Sequence, residues 1–186
     1  MLVASCGKDD DSDGNASDID LGQAINENGI YVHYPTDSFE KGGGDTVPPI
    51  GTSTYYNFRY NSIWTRLKSD TICAIVYRQS LRQLGDSDSV KVFVSIEKDI
   101  YDYGYYESKS SGAETDTTVN GISATRLTYI HSATINSKQI LLRTDYYILY
   151  NPEDKKLYEI VMQAPAASDR WSLMNSIVGT YKFTNQ

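Results

Sequence analysis

The chain has 186 residues, with 17 Lys plus Arg against 24 Asp plus Glu, a net charge of -7, 2 His and 2 Cys. That length builds one domain able to bury a core without disulfides or a structural metal, and it excludes a giant multidomain enzyme for the chain as given. A mean hydropathy of -0.45 and no run near the ~18 apolar residues of a membrane helix exclude a helical integral membrane protein for the chain as given.

Charge is placed unevenly from the start. Asp9, Asp10, Asp11, Asp13, Asp18, Asp20 and Glu27 face Lys8 alone in the first 28 residues, which leaves the remainder with 17 acidic and 16 basic residues. An acidic tail on a near-neutral body, with no basic stripe, gives no footprint for nucleic acid. The Asp cluster lacks the spaced ligands, central Gly and closing Glu of an EF-hand calcium loop. It reads instead as a self-repelling tether over residues 7–28.

Ahead of it, Leu2-Val3-Ala4-Ser5-Cys6-Gly7 resembles the lipobox of bacterial lipoproteins, in which small residues precede a Cys that is acylated and becomes the mature N-terminus. The resemblance implies that Cys6 is the lipidation site and residues 1–6 a residual signal. Most of a signal peptide's n-region and h-region does not precede it, so the expectation is that Met1 lies downstream of the true start or that the signal has been trimmed. Lys8-Asp9-Asp10 is similar to the acidic export signal behind the lipidated Cys of some Gram-negative lipoproteins. It implies an outer-membrane location, surface-exposed in the first reading and periplasm-facing in the second. With Cys6 acylated, Cys73 in the apolar run Thr71–Tyr77 reads as a buried, inert thiol.

Residues 29–186 form the single expected domain, mostly strands between turns. Ile30–Tyr34 is a short strand stopped by Pro35. Gly42-Gly43-Gly44 and Pro48-Pro49 make residues 36–53 a loop, and without a following Lys-Ser or Lys-Thr the glycines are no P-loop. Tyr55–Tyr60 and residues 71–77 are strand candidates, with Trp64 a core anchor. Val90, Val92, Val94 and Ile96 alternate with Lys91, Phe93 and Ser95, which predicts a strand. Over residues 121–130 the apolar parity shifts between Ala124 and Leu127, which predicts a bulge. Ile140–Tyr150, apolar on both faces, predicts a central strand, hairpinned to Leu157–Gln163 through Asn151-Pro152-Glu153-Asp154. One helix is signalled: Ser168 as cap, Asp169 at its positive end, an apolar stripe of Trp171, Met174, Ile177 and Val178, and Gly179 as its stop.

Phe58-Arg59-Tyr60-Asn61-Ser62-Ile63-Trp64 resembles the early segment of the Mog1/PsbP-like family, where an aromatic-x-Tyr-Pro-Ser-x-Trp run leads from a strand into the first helix; Asn61 stands where that family has Pro. Val119–Ala124 is similar to the family's turn into a middle strand, and the ending through Tyr158–Met162 to Tyr181-Lys182-Phe183 to its C-terminal half. The resemblance, over residues 54–183, implies an α+β fold: a central antiparallel β-sheet flanked by a few helices on both faces, an α/β/α sandwich. It also implies a mostly non-catalytic binding or assembly role.

Residue chemistry points the same way. His33 and His131 are the only imidazoles, neither has a second His or Cys at zinc spacing, and no Gly-x-Ser-x-Gly elbow accompanies them. No catalytic residue, metal or other cofactor is expected. The unusual feature is Tyr101-Asp102-Tyr103-Gly104-Tyr105-Tyr106-Glu107, where Tyr101, Tyr103, Tyr105 and Tyr106 form a candidate patch for a sugar or peptide or else pack on the domain's own surface. The sequence therefore reads as a non-enzymatic, membrane-tethered lipoprotein, a binding or assembly module of the bacterial cell envelope. Its partners are expected to be the membrane, through the lipid, and a protein or glycan. The alternative is a surface glycan-binding protein or a glycan hydrolase working with paired carboxylates.

Overall fold

The computed structural model describes residues 21–43, 60–81, 83–84, 90–91, 94–95, 98 and 113–184. In chain order the strands are β1 (Gln23–Glu27), β2 (Ile30–Tyr34), β3 (Phe39–Gly43), β4 (Tyr60–Leu67), β5 (Asp70–Ser80), β6 (Ala113–Val119), β7 (Ile122–Ile135), β8 (Lys138–Asn151), β9 (Lys156–Pro165) and β10 (Lys182–Phe183), with α1 (Trp171–Val178) before the last. They make two sheets, one ordered β1-β2-β10 and the other β3-β4-β5-β9-β8-β7-β6. Every strand pair is antiparallel. Tight turns set this topology. Asn28-Gly29, Asn120-Gly121 and Asn136-Ser137 all have positive φ at both positions, the handedness that matches the twist of the strands they join.

The α+β expectation is overturned, because 66% of the described residues are strand and 11% helix. The reason lies in what covers the large sheet. Its first face carries Ile63, Ile75, Tyr77, Leu149, Tyr158, Ile160 and Met162, and these pack against Ile25, Ile30, Val32 and Phe183 of the small sheet and Met174, Ile177 and Val178 of α1. A second sheet thus takes the place that a flanking helix layer was expected to fill. Ala74, Val76, Leu127, Tyr146, Ile148, Leu157 and Val161 line the second face, with Val90 and Val94 against them.

Further local expectations change with it: Phe39–Gly43, expected within a loop, is strand β3 paired with β4. Tyr60–Leu67 does not turn into a helix after Tyr60 but stays extended between β3 and β5, with Ile63 and Leu67 packed into the first-face core and Trp64 into the second-face one. Val90, Lys91, Val94, Ser95 and Lys98 are helical rather than strand. Val90 and Val94 share one helix face at a spacing of four, a pattern that an alternation of valines also satisfies. The tether reading ran to residue 28, yet Gln23–Glu27 pair with β2 and Ile25 is buried, so the packed chain starts earlier. Cys6 and the rest of the N-terminal segment before Leu21 lie outside the described residues.

The helix and the central hairpin form where the sequence places them. α1 buries Met174, Ile177 and Val178 and is followed by Gly179, while Arg170 rather than Ser168 is its N-cap residue; the Ser168 hydroxyl accepts the Arg170 N–H at 3.2 Å. The β8–β9 turn is tied by Asn151 and Asp154, whose carboxamide and carboxylate oxygens accept the N–H groups of Glu153 and Lys156.

Both tryptophans pack against cores while staying half-buried. Trp64 lies across Gly42 on the neighbouring strand, where an added Cβ would sit 2.1 Å from its Cζ2. Gly42→Ala should therefore displace the indole and cost about 1–3 kcal/mol through overpacking. A changed Trp64 emission, read in a Trp171→Phe background, together with a lower denaturation midpoint checks this.

Candidate functional site

Burial along β7 and β8 shows where the first face loses its cover. On β7 the residues facing one way, Leu127, Tyr129 and His131, are buried, whereas Arg126, Thr128 and Ser132 are half-buried and Ile130 is exposed. On β8 the same face runs from buried Leu149 and Tyr147 through Asp145 to half-buried Arg143 and exposed Leu141. The small sheet and α1 thus cover one end of the hairpin and leave the other open.

At that boundary a charge cluster replaces the apolar core. Asp145 is fully buried and accepts from two strands: Arg143 grips it with Nε to Oδ1 at 3.0 Å and Nη2 to Oδ2 at 2.8 Å, and Arg126 adds Nη2 to Oδ2 at 2.7 Å. Two cations share one anion, so the cluster carries one net positive charge. Each guanidinium also rests on a ring, Arg143 4.5 Å from the centroid of Trp171 and Arg126 5.6 Å from that of Tyr147. Trp171 is held in turn by its indole N–H, which donates to the Pro165 carbonyl at 3.0 Å. Both arginine side chains keep about 30% exposure (29% and 30%), and their Nη1 groups are not spent on Asp145. The arrangement presents cationic donors whose rotamers are already fixed.

These three residues were not singled out from the sequence, although a signal was there. The parity shift between Ala124 and Leu127 predicted a bulge, but the β7–β8 register runs unbroken from Ala124↔Leu149 to Ile135↔Lys138. What changes is the face: Ala124 packs into the first-face core and Leu127 into the second-face one, because Arg126 occupies the first face between them.

The expected tyrosine patch, Tyr101, Tyr103, Tyr105 and Tyr106, lies outside the described residues. His33 and His131 stand on different sheets. His33 is hydrogen-bonded to the Tyr31 hydroxyl at 2.7 Å; His131 is buried inside β7, and burial pushes its pKa down. Cys73 is a buried free thiol pushed up to about 12, first by burial and then by the charge of Asp70, which makes it a poor nucleophile at neutral pH. Among the described residues no three His, Cys, Asp or Glu side chains come together as metal ligands, and no helix is long and apolar enough to cross a membrane. An open cavity of about 920 Å³ lies at the β6–β7 turn, lined in part by Asp116, Asn120, Thr125, Ile148 and Tyr150.

Neither a protein-family model nor a curated protein matches the chain. Among solved structures, a Bacteroides thetaiotaomicron protein is similar, with a TM-score of 0.53 at 6% identity. The match covers 83% of this chain and 45% of that one, so the chain spans less than half the length of this neighbour. At such identity the likeness concerns the fold alone.

Proposed function

We propose that this chain is a non-enzymatic binding or assembly module of the bacterial cell envelope, tethered to the outer membrane by an acyl chain on Cys6. The observation that carries the binding role is the open end of the β7–β8 hairpin, where a buried carboxylate holds two half-exposed guanidiniums ready. A structural ion pair needs one cation per anion; a second cation at the same carboxylate, on a face that the small sheet and α1 leave uncovered among the described residues, suits a partner that brings its own negative charge. The lipobox-like Leu2–Gly7 and the acidic stretch behind it support the tether. Metabolic labelling with a fatty-acid analogue should mark the native protein and not a Cys6→Ala variant. A photocrosslinker at Leu141 should capture a partner in intact cells, and loss of the tether should reduce that capture. Equal labelling of both forms would refute the anchor, and the absence of any Leu141 adduct would refute the binding face.

A further inference from the structure

Resting on that reading, we propose that the open face recognises an acidic polypeptide segment, one carboxylate side chain set among aliphatic residues, with Arg126 and Arg143 taking the carboxylate. The cationic cluster is bordered by exposed aliphatic side chains. Ile130 is 36% and Leu141 52% exposed, Ile130 is the direct cross-strand neighbour of Arg143, and Leu141 lies two residues before Arg143 on the same face of β8. Aliphatic surface beside a guanidinium fork suits a side chain of the same kind beside a carboxylate. A saccharide would look for a free aromatic face, but the two rings here, Trp171 and Tyr147, already lie under Arg143 and Arg126. Charge favours the same partner: the cluster is net positive, whereas the chain as a whole is at -7. Because Asp145 and the rings have already fixed both arginines, docking loses little side-chain entropy, and this separates the site from an ordinary surface ion pair.

The test is an array of synthetic peptides in which one or two Asp residues are set among Leu and Ile at each spacing, alongside the Asn counterparts and oligogalacturonate. Binding to the full chain is read by fluorescence anisotropy. Acidic peptides should bind better than their Asn counterparts and weaken with salt. Arg143→Gln and Leu141→Ser should each lower affinity about tenfold, and unchanged thermal melts would show both variants folded. Arg143→Lys should retain only part of the affinity, since it keeps the charge and loses the fork. No preference for Asp over Asn, or unchanged binding by the folded variants, overturns the proposal. So does binding of oligogalacturonate alone, or a concentration-dependent dimer abolished by Leu141→Ser. The in-cell capture at Leu141 is read independently, so a partner captured there without acidic-peptide binding would sink the ligand class and leave the binding role standing.

Discussion

Arg78→Met should be among the most destabilising single changes in this protein, and its cost should grow with pH. Arg78 and Glu159 are cross-strand neighbours on β5 and β9, joined Nη1 to Oε2 at 3.1 Å, with side-chain exposures of only 9% and 1%. Burial pushes the Glu159 carboxyl up, and the Arg78 guanidinium pulls it part of the way back. Removing the arginine leaves an uncompensated buried carboxylate, which costs about 3–5 kcal/mol where the acid is ionised. A carboxyl raised in the folded state takes up a proton there first, so its stabilising contribution is present at acid pH and is lost as pH rises through the folded value. The stability gap between native and Arg78→Met should therefore be narrowest at acid pH and widest at neutral pH. Denaturant midpoints across that range measure it, and a constant gap would show that Glu159 is not the group responsible. Arg78→Met combined with Glu159→Leu should recover most of the loss, since apolar replacement of a whole buried pair is often neutral.

That pair illustrates what the sequence could and could not reveal. The β8–β9 hairpin and α1 were legible because their signals are local: an apolar run, an Asn-Pro turn, a stripe at helical spacing. The small sheet was not, because it joins Gln23–Tyr34 to Lys182–Phe183 across nearly the whole chain, and nothing in either segment names the other. The flanking helices were instead what the family resemblance implied, and it offered no place for such a sheet. The charge cluster was hidden for a related reason. Arg126 meets Arg143 and Asp145 only through the β7–β8 register, so each looked like an isolated polar residue in a strand. The parity shift at Ala124–Leu127 was a real signal, and its cause is a face that changes from apolar core to the charge cluster of Arg126, Arg143 and Asp145.

The open face depends on the small sheet being held where it is, and besides the apolar packing of Ile25, Ile30, Val32 and Phe183 the turn at Gly29 fixes its seat. The turn Asn28-Gly29 joins β1 to β2, with Gly29 at φ +74° and its carbonyl accepting the Thr184 N–H at 3.1 Å. Beneath it is a buried network: Gln79 Nε2 donates to the Tyr158 hydroxyl at 2.8 Å, which donates to Asp154 Oδ2 at 2.5 Å. A Cβ at Gly29 would fall 2.3 Å from that hydroxyl and 2.7 Å from Gln79 Nε2. Neither partner can retreat without breaking a hydrogen bond, so Gly29→Ala should combine left-handed strain with overpacking and cost about 2–4 kcal/mol. Gly121 separates the two effects, because its φ is +79° but a Cβ there meets nothing within 4 Å. Gly121→Ala should accordingly cost about 1 kcal/mol from strain alone. Denaturant midpoints of the two variants measure the difference, which is the contribution of close packing between turn and network. Equal losses would mean that the turn does not press on Tyr158. A larger loss at Gly29, with amide exchange in β1 and β2 faster in the variant than in the native protein, would mean that this contact adds to the apolar packing of Ile25, Ile30, Val32 and Phe183 in seating the small sheet.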